Sequence, residues 1–119
     1  MELKQITDEI LERIRLLKIA RAELQSRAEA KAGTVSDYYR KRAITIMALR
    51  NGEEFLLEGQ PIKNPPVSII ESVARGICWK EKQARDLAES MYKNAVVGTE
   101  SLKLEVNALQ SILRIQDEA

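Results

Sequence analysis

Histidine is absent from this chain. That removes the commonest general base, the Ser-His and Cys-His nucleophile pairs and most zinc sites, so a non-enzymatic protein is expected. A single cysteine, Cys78, excludes an internal disulfide and fits a reducing compartment. Aromatic residues make up only 4% of the chain, too few for a thick globular core. No apolar run approaches a membrane span, and Met1-Glu2-Leu3-Lys4-Gln5 lacks a signal-peptide apolar region. A soluble, cytoplasmic protein without membrane contact is expected. No Walker-type phosphate loop, no dinucleotide-binding glycine motif and no Cys-x-x-Cys pair occurs, which points away from nucleotide enzymes. The net charge is only +1, so no global basic field draws the protein to nucleic acid.

What the sequence does contain is helix. With 31% charged residues in 119, the composition is that of long helices forming one domain. From Lys82 to Ile115, apolar residues recur at Ala84, Ala88, Met91, Ala95, Leu102, Val106, Leu109 and Leu113. These steps of three, four and seven place them on one side of a helix about 50 Å long. Such a stripe must be covered, by this chain or by a second copy. The N-terminal stretch repeats the pattern at Leu3, Ile6, Ile10, Ile14, Leu17, Ala20, Leu24 and Ala28, with the charged pairs Glu9/Arg13 and Glu23/Arg27 on its surface. Thr34 and Asp37 resemble a capping box after Gly33, but one glycine does not stop a helix, and continuity is favoured there. Gly98-Thr99 is the weak point of the second long helix.

Asp37 to Leu57 admits two readings. A helix ending near Asn51 with Gly52 as its cap is favoured. A β-hairpin turning at Asn51-Gly52, with Ile44, Ile46 and Ala48 on the same face as Phe55 and Leu57, is the alternative. Glu53 to Pro66 reads as an irregular connector, since Gly59, Pro61, Pro65 and Pro66 oppose regular structure. Ser68 and Glu71 then form a capping-box pattern for a short helix, Ile69 to Arg75, stopping at Gly76. The expected fold is all-α: an antiparallel two-helix hairpin (1–51 and 82–115) with a connector over 52–81 that carries the short helix. Because two helices bury little surface, an oligomeric bundle is expected, closed by a stripe containing Leu102, Val106, Leu109, Ile112 and Leu113. Leu104 and Ile115 widen that face.

Four residues, Arg40, Lys41, Arg42 and Arg50, with Tyr38 and Tyr39, form the densest basic-aromatic cluster and are candidate nucleic-acid contacts. The opposing reading, a solvated face with one tyrosine in the core, is favoured: residues 37–86 hold nine basic and seven acidic side chains, a slight surplus. Phe55, Leu57 and Trp79 are candidate protein-partner contacts, although a Trp at a helix break more often caps a bundle. Cys78 lies near Lys80 and Lys82 but lacks a base, so a structural role is favoured. Glu53, Glu54 and Glu58 lack the companions of a metal site, so neither metal nor cofactor is expected.

Several segments resemble small helical proteins encoded by tailed phages and prophages of Gram-positive bacteria. They are Tyr39…Ala43…Leu49-Arg50, Gly59-x-Pro61, Val73-Ala74-Arg75-Gly76, Arg85-Asp86-Leu87-Ala88-Glu89-x-x-Tyr92-Lys93 and Leu109-Gln110-Ser111-Ile112-Leu113-Arg114. Asn51 to Leu57 looks like an insertion relative to that pattern. The resemblance implies a product of the phage early region, in host cytoplasm, whose role is to bind a host or phage protein. Two further readings stay open: a nucleic-acid-binding helper using the Arg40–Arg42 cluster, and an oligomer that sequesters a small ligand.

Overall fold

The computed structural model describes residues 2–118. In order, the elements are α1 (Leu3–Arg50), β1 (Phe55–Leu57), β2 (Gln60–Ile62), a 3-10 turn (Val67–Ile69), α2 (Ile70–Ile77) and α3 (Trp79–Glu118). Two compact units are distinguishable: residues 1–29 with 90–119, and residues 30–89. The mostly helical architecture agrees with the expectation. No helix among the described residues is long and apolar enough to cross a membrane.

The first unit is the first half of α1 beside the second half of α3. Ile6, Ile10 and Leu17 are buried on α1, and Thr99 and Val106 on α3. Cross-helix contacts fix the polarity. Arg13 Nε donates to Glu105 Oε2 at 3.2 Å, and Arg27 Nη1 approaches Met91 Sδ at 3.6 Å. Numbers rise along α1 as they fall along α3, so the pairing is antiparallel. The start of α1 is held by Gln5, whose side-chain oxygen accepts the Glu2 N–H at 3.0 Å, one half of a capping box.

The expected stripe needs sorting. Ala84 is exposed, and so is Leu3 at 46%. Leu102, Leu109 and Leu113 are half-buried and Val106 is buried, within a unit whose only other element is α1; Ile112 is exposed at 41%. Gly33 and Gly98 both lie inside uninterrupted helices. Thr34 does not cap anything: its hydroxyl bonds back to the Ala30 and Lys31 carbonyls, at 3.0 Å each.

The second unit closes the chain reversal. α1 ends in a Schellman motif, in which Gly52 N–H bonds the Leu49 carbonyl (3.1 Å) and Glu53 N–H the Ala48 carbonyl (3.0 Å). Gly52 takes φ 83°, where only glycine sits without strain. Asp37 to Arg50 is thus helix, and a hairpin at Asn51-Gly52 does not form.

A hairpin does form further on, which corrects the expectation of an irregular connector. Phe55 pairs with Ile62, Leu56 with Pro61 and Leu57 with Gln60 around Glu58-Gly59, which have φ 50° and 77°. Two successive positive φ values in a two-residue loop make a type I′ turn, matched to strand twist. In that register Leu56 and Pro61 are a non-hydrogen-bonded pair, so the proline forfeits no ladder bond.

Two more expectations fail locally. Ser68 makes no capping bond, because the chain enters α2 through a 3-10 turn and Ile69 occupies the cap position. Gly76 does not stop the short helix, which runs to Ile77. The break falls at Cys78 (φ −89°, ψ 24°), and α3 starts at once with Trp79, earlier than Lys82. At Gly76 an added Cβ would come into van der Waals contact with Leu57, 3.4 Å from its Cδ2. Leu49, Ile70 and Ala74 form the buried cluster, joined by Ile46, Phe55, Ile62, Val73 and Ile77.

Two glycine substitutions should separate these roles in urea denaturation. Gly52→Ala forces a Cβ to 3.2 Å from Asn64 Oδ1 at positive φ and should destabilise by about 1–2 kcal/mol. Gly33→Ala, in a helix interior with nothing within 4 Å, should stabilise by up to about 1 kcal/mol.

Candidate functional site

The chemistry-bearing residues gather in the second unit. The helical period stacks Tyr38, Arg42, Thr45 and Leu49 on one face of α1 and places Glu81, Arg85 and Ala88 along α3, with Cys78 at the break just before it. Tyr38 is 1% exposed, and the Arg85 guanidinium sits 4.5 Å from its ring centroid. Arg42 lies 5.9 Å from the Tyr38 ring and 5.2 Å from that of Tyr39, which is half exposed. A cation over a tyrosine face is worth about 0.5–2 kcal/mol, more as water is excluded. Tyr38 is therefore a core residue clamped by two arginines, and only Tyr39 offers a face to solvent.

One helical turn away, Lys41 Nζ donates to Glu81 Oε1 at 2.9 Å. That bond, more than the bare charge attraction, holds the Glu81 carboxyl below its ordinary value and raises the Lys41 ammonium. Beneath it Thr45, 2% exposed, donates its hydroxyl to the Lys41 carbonyl at 2.8 Å and lies 3.5 Å from the Cys78 sulfur. Cys78 is fully buried, a structural thiol with no route to an external electrophile.

Of the four candidate nucleic-acid contacts, Lys41 and Arg42 are thus committed within the chain. Arg40 and Arg50 are exposed and form no ion pair among the described residues. The cluster is a structural junction with two outward cations.

Two open grooves flank this junction. The first, about 480 Å³, has an apolar floor of Ile44, Ala48 and Phe55 and a charged rim of Asp37, Arg40, Glu53 and the Lys41–Glu81 pair. The second is bounded by the inner face of the hairpin (Leu57, Gln60, Ile62), Gly76 and Trp79. Trp79 is 52% exposed at the first turn of α3, with Lys80 Nζ 5.6 Å from its ring. The structure therefore brings Leu57 and Trp79 to one groove and places Phe55 in the other. Several exposed apolar residues were not among the contacts expected from sequence: Ile44 and Met47 on α1, Leu56 on the outer face of the hairpin, and Val67 at 81%. Their signal was present in the helical phase, which puts Ile44 and Met47 off the Tyr38–Thr45–Leu49 face. No group of three metal-ligating side chains converges among the described residues.

Comparison of the chain with protein-family models, with curated proteins and with solved structures returns no match.

The Lys41–Glu81 pair makes a pH signature. A carboxyl whose folded value is depressed contributes stability above its unfolded value, here near 4.5, and that stability is lost as pH falls through the folded value. The raised Lys41 contributes below its ordinary 10.5 and loses that contribution at higher pH. Glu81→Gln should cost at most about 1 kcal/mol at neutral pH, given side chains 26% and 54% exposed, and less below pH about 4. Chemical denaturation at pH 3.5 and 7 checks this.

Proposed function

We propose that this chain is a non-enzymatic accessory protein that acts by binding another protein, through the end of the second unit formed by the hairpin, α2 and the start of α3. The observation that carries the reading is the Trp79 groove. A large aromatic stands half exposed at the mouth of a concave surface lined by Leu57 and Ile62, and it takes no part in the buried cluster of Leu49, Ile70 and Ala74. Trp is the residue most enriched at binding hot spots, and an apolar floor with a polar rim suits a helix or extended segment of a partner. The resemblance to early-region proteins of tailed phages supplies the setting, a replication–recombination or host-takeover module in the host cytoplasm.

Nucleic-acid binding is the weaker reading because only Arg40 and Arg50 of the cluster point free. Two or so phosphate contacts give little affinity at physiological salt.

The test is affinity capture from phage-infected host lysate, with and without nuclease, using the intact chain and Trp79→Ala. One defined protein should be recovered regardless of nuclease and depleted at least about tenfold by the substitution, as for a hot-spot residue. Capture that vanishes with nuclease and is indifferent to Trp79 would transfer the function to Arg40 and Arg50. A small molecule retained in native mass spectrometry, with no protein captured, would support sequestration.

A further inference from the structure

The first unit leaves a second apolar stripe on α3 uncovered. Val97, Leu104 and Ile115 are 64%, 68% and 67% exposed, Ile112 is 41% exposed, and Ala108 lies between them on the same face. The seam against α1 uses Ala95, Thr99, Leu102, Val106, Leu109 and Leu113. The outer stripe runs parallel to it, about half a turn round the helix. We infer that this outer stripe of α3 binds the same stripe of a second copy, antiparallel, about a two-fold axis near Val106–Asn107.

Three features of the sequence along α3 fix that geometry. First, apolar register: with the axis at that point, Val97 meets Ile115 of the partner subunit, Leu104 meets Ala108 of the partner subunit, and Ser101 meets Ser111 of the partner subunit. Sliding by one heptad either way leaves Val97 or Ile115 without an apolar partner. Second, charge: the residues flanking the stripe bring Glu100 opposite Arg114 of the partner subunit, twice by symmetry. Arg114 is exposed with no ion pair among the described residues, while Glu100 has only an exposed i,i+3 bond to Lys103 at 3.2 Å. A parallel arrangement would instead set Glu100 against Glu105 of the partner subunit, and like charges at flanking positions oppose pairing. In the antiparallel arrangement the two Glu105 side chains approach across the axis, but each is already engaged by Arg13 of its own chain.

Third, Gly98 gains a reason. It sits inside α3, where glycine costs about 1 kcal/mol relative to alanine, and a Cβ added there meets nothing within 4 Å in this chain. The antiparallel register places it opposite Ile112 of the partner subunit, where the absent side chain admits the isoleucine. An isologous two-fold contact of this kind is self-complementary and closes at a dimer.

Sedimentation equilibrium of the full chain at moderate salt tests the inference, with circular dichroism confirming that each variant is folded. The parent should be a dimer and Leu104→Glu a folded monomer, since residue 104 is exposed in the single chain. Glu100→Arg and Arg114→Glu should each weaken association roughly tenfold, and the double reversal should restore it. Gly98→Leu should weaken it too while leaving helix content unchanged. A parent that is monomeric throughout overturns the inference and leaves the stripe to a different protein. A dimer indifferent to Leu104→Glu, or charge reversals that fail to compensate, overturns it equally.

Discussion

Everything in this molecule depends on one narrow seam, the alternating three- and four-residue spacing that α1 and α3 share. In the first unit each helix has only the other to cover it, so the buried side chains are few among the described residues: Ile6, Ile10 and Leu17 on α1, Thr99 and Val106 on α3. A buried hydroxyl in so thin a core must be satisfied locally, and Thr99 bonds the Ala95 carbonyl at 2.9 Å. A heptad seam of this kind could slide by one repeat with little loss of apolar contact. What opposes sliding is the set of specific cross-helix contacts, Arg13 to Glu105 in one unit and Lys41 to Glu81 and Arg85 to Tyr38 in the other. Each is worth little by itself, but a slipped register loses those in its unit together and leaves charged groups beside apolar ones. They act on register more than on stability.

The chain reversal is achieved by four consecutive local devices. The glycine cap at Gly52 ends α1, the tight Glu58-Gly59 turn doubles the chain back, Asn64 accepts a positive φ of 48°, and the 3-10 turn feeds α2. Phe55 of β1 and Ile62 of β2 then pack against Leu49, Ile70 and Ala74. The second unit consequently has a core built from three directions, whereas the first has one interface. That difference explains why the polar and aromatic junction can be housed in the second unit: Tyr38, Thr45 and Cys78 are all essentially inaccessible there.

The helices were legible in the sequence because they carry a long, uninterrupted period, and the glycine cap was legible because Asn51-Gly52 follows within two residues of the last apolar position, Leu49. The hairpin was not. Its turn residues, Glu58-Gly59, lack the Asn or Asp that usually announces a type I′ turn, and Pro61 argues against a strand unless the register is already known. The Ser68…Glu71 spacing matched a capping box, yet a local pattern cannot reveal that the α-helix starts one residue later, at Ile70. On α3 the sequence showed apolar residues at Leu102, Leu104 and Val106, two apart. Periodicity alone could not say that Leu102 and Val106 face α1 while Leu104 faces outward. The basic cluster was found as a composition, but the commitment of Lys41 and Arg42 depends on Glu81 and on the two tyrosine rings. The Lys41–Glu81 pairing exists only once the antiparallel register is set, whereas the Arg42 contacts lie within α1, three and four residues apart.

The contrast between the units bears on where association should matter. Two helices alone bury too little surface to offset the entropy of ordering both chains, and helical stability in proteins comes mainly from an amphipathic face finding cover. In the second unit that cover is internal, and Trp79 stands half exposed outside the buried cluster. In the first unit the seam uses one face of α3 and leaves another apolar face in water. Covering it with a second copy would link the stability of that unit to protein concentration. One chain thus divides its apolar surface between what its own cores cover and what they leave in water, and the division follows from which residues each core leaves out.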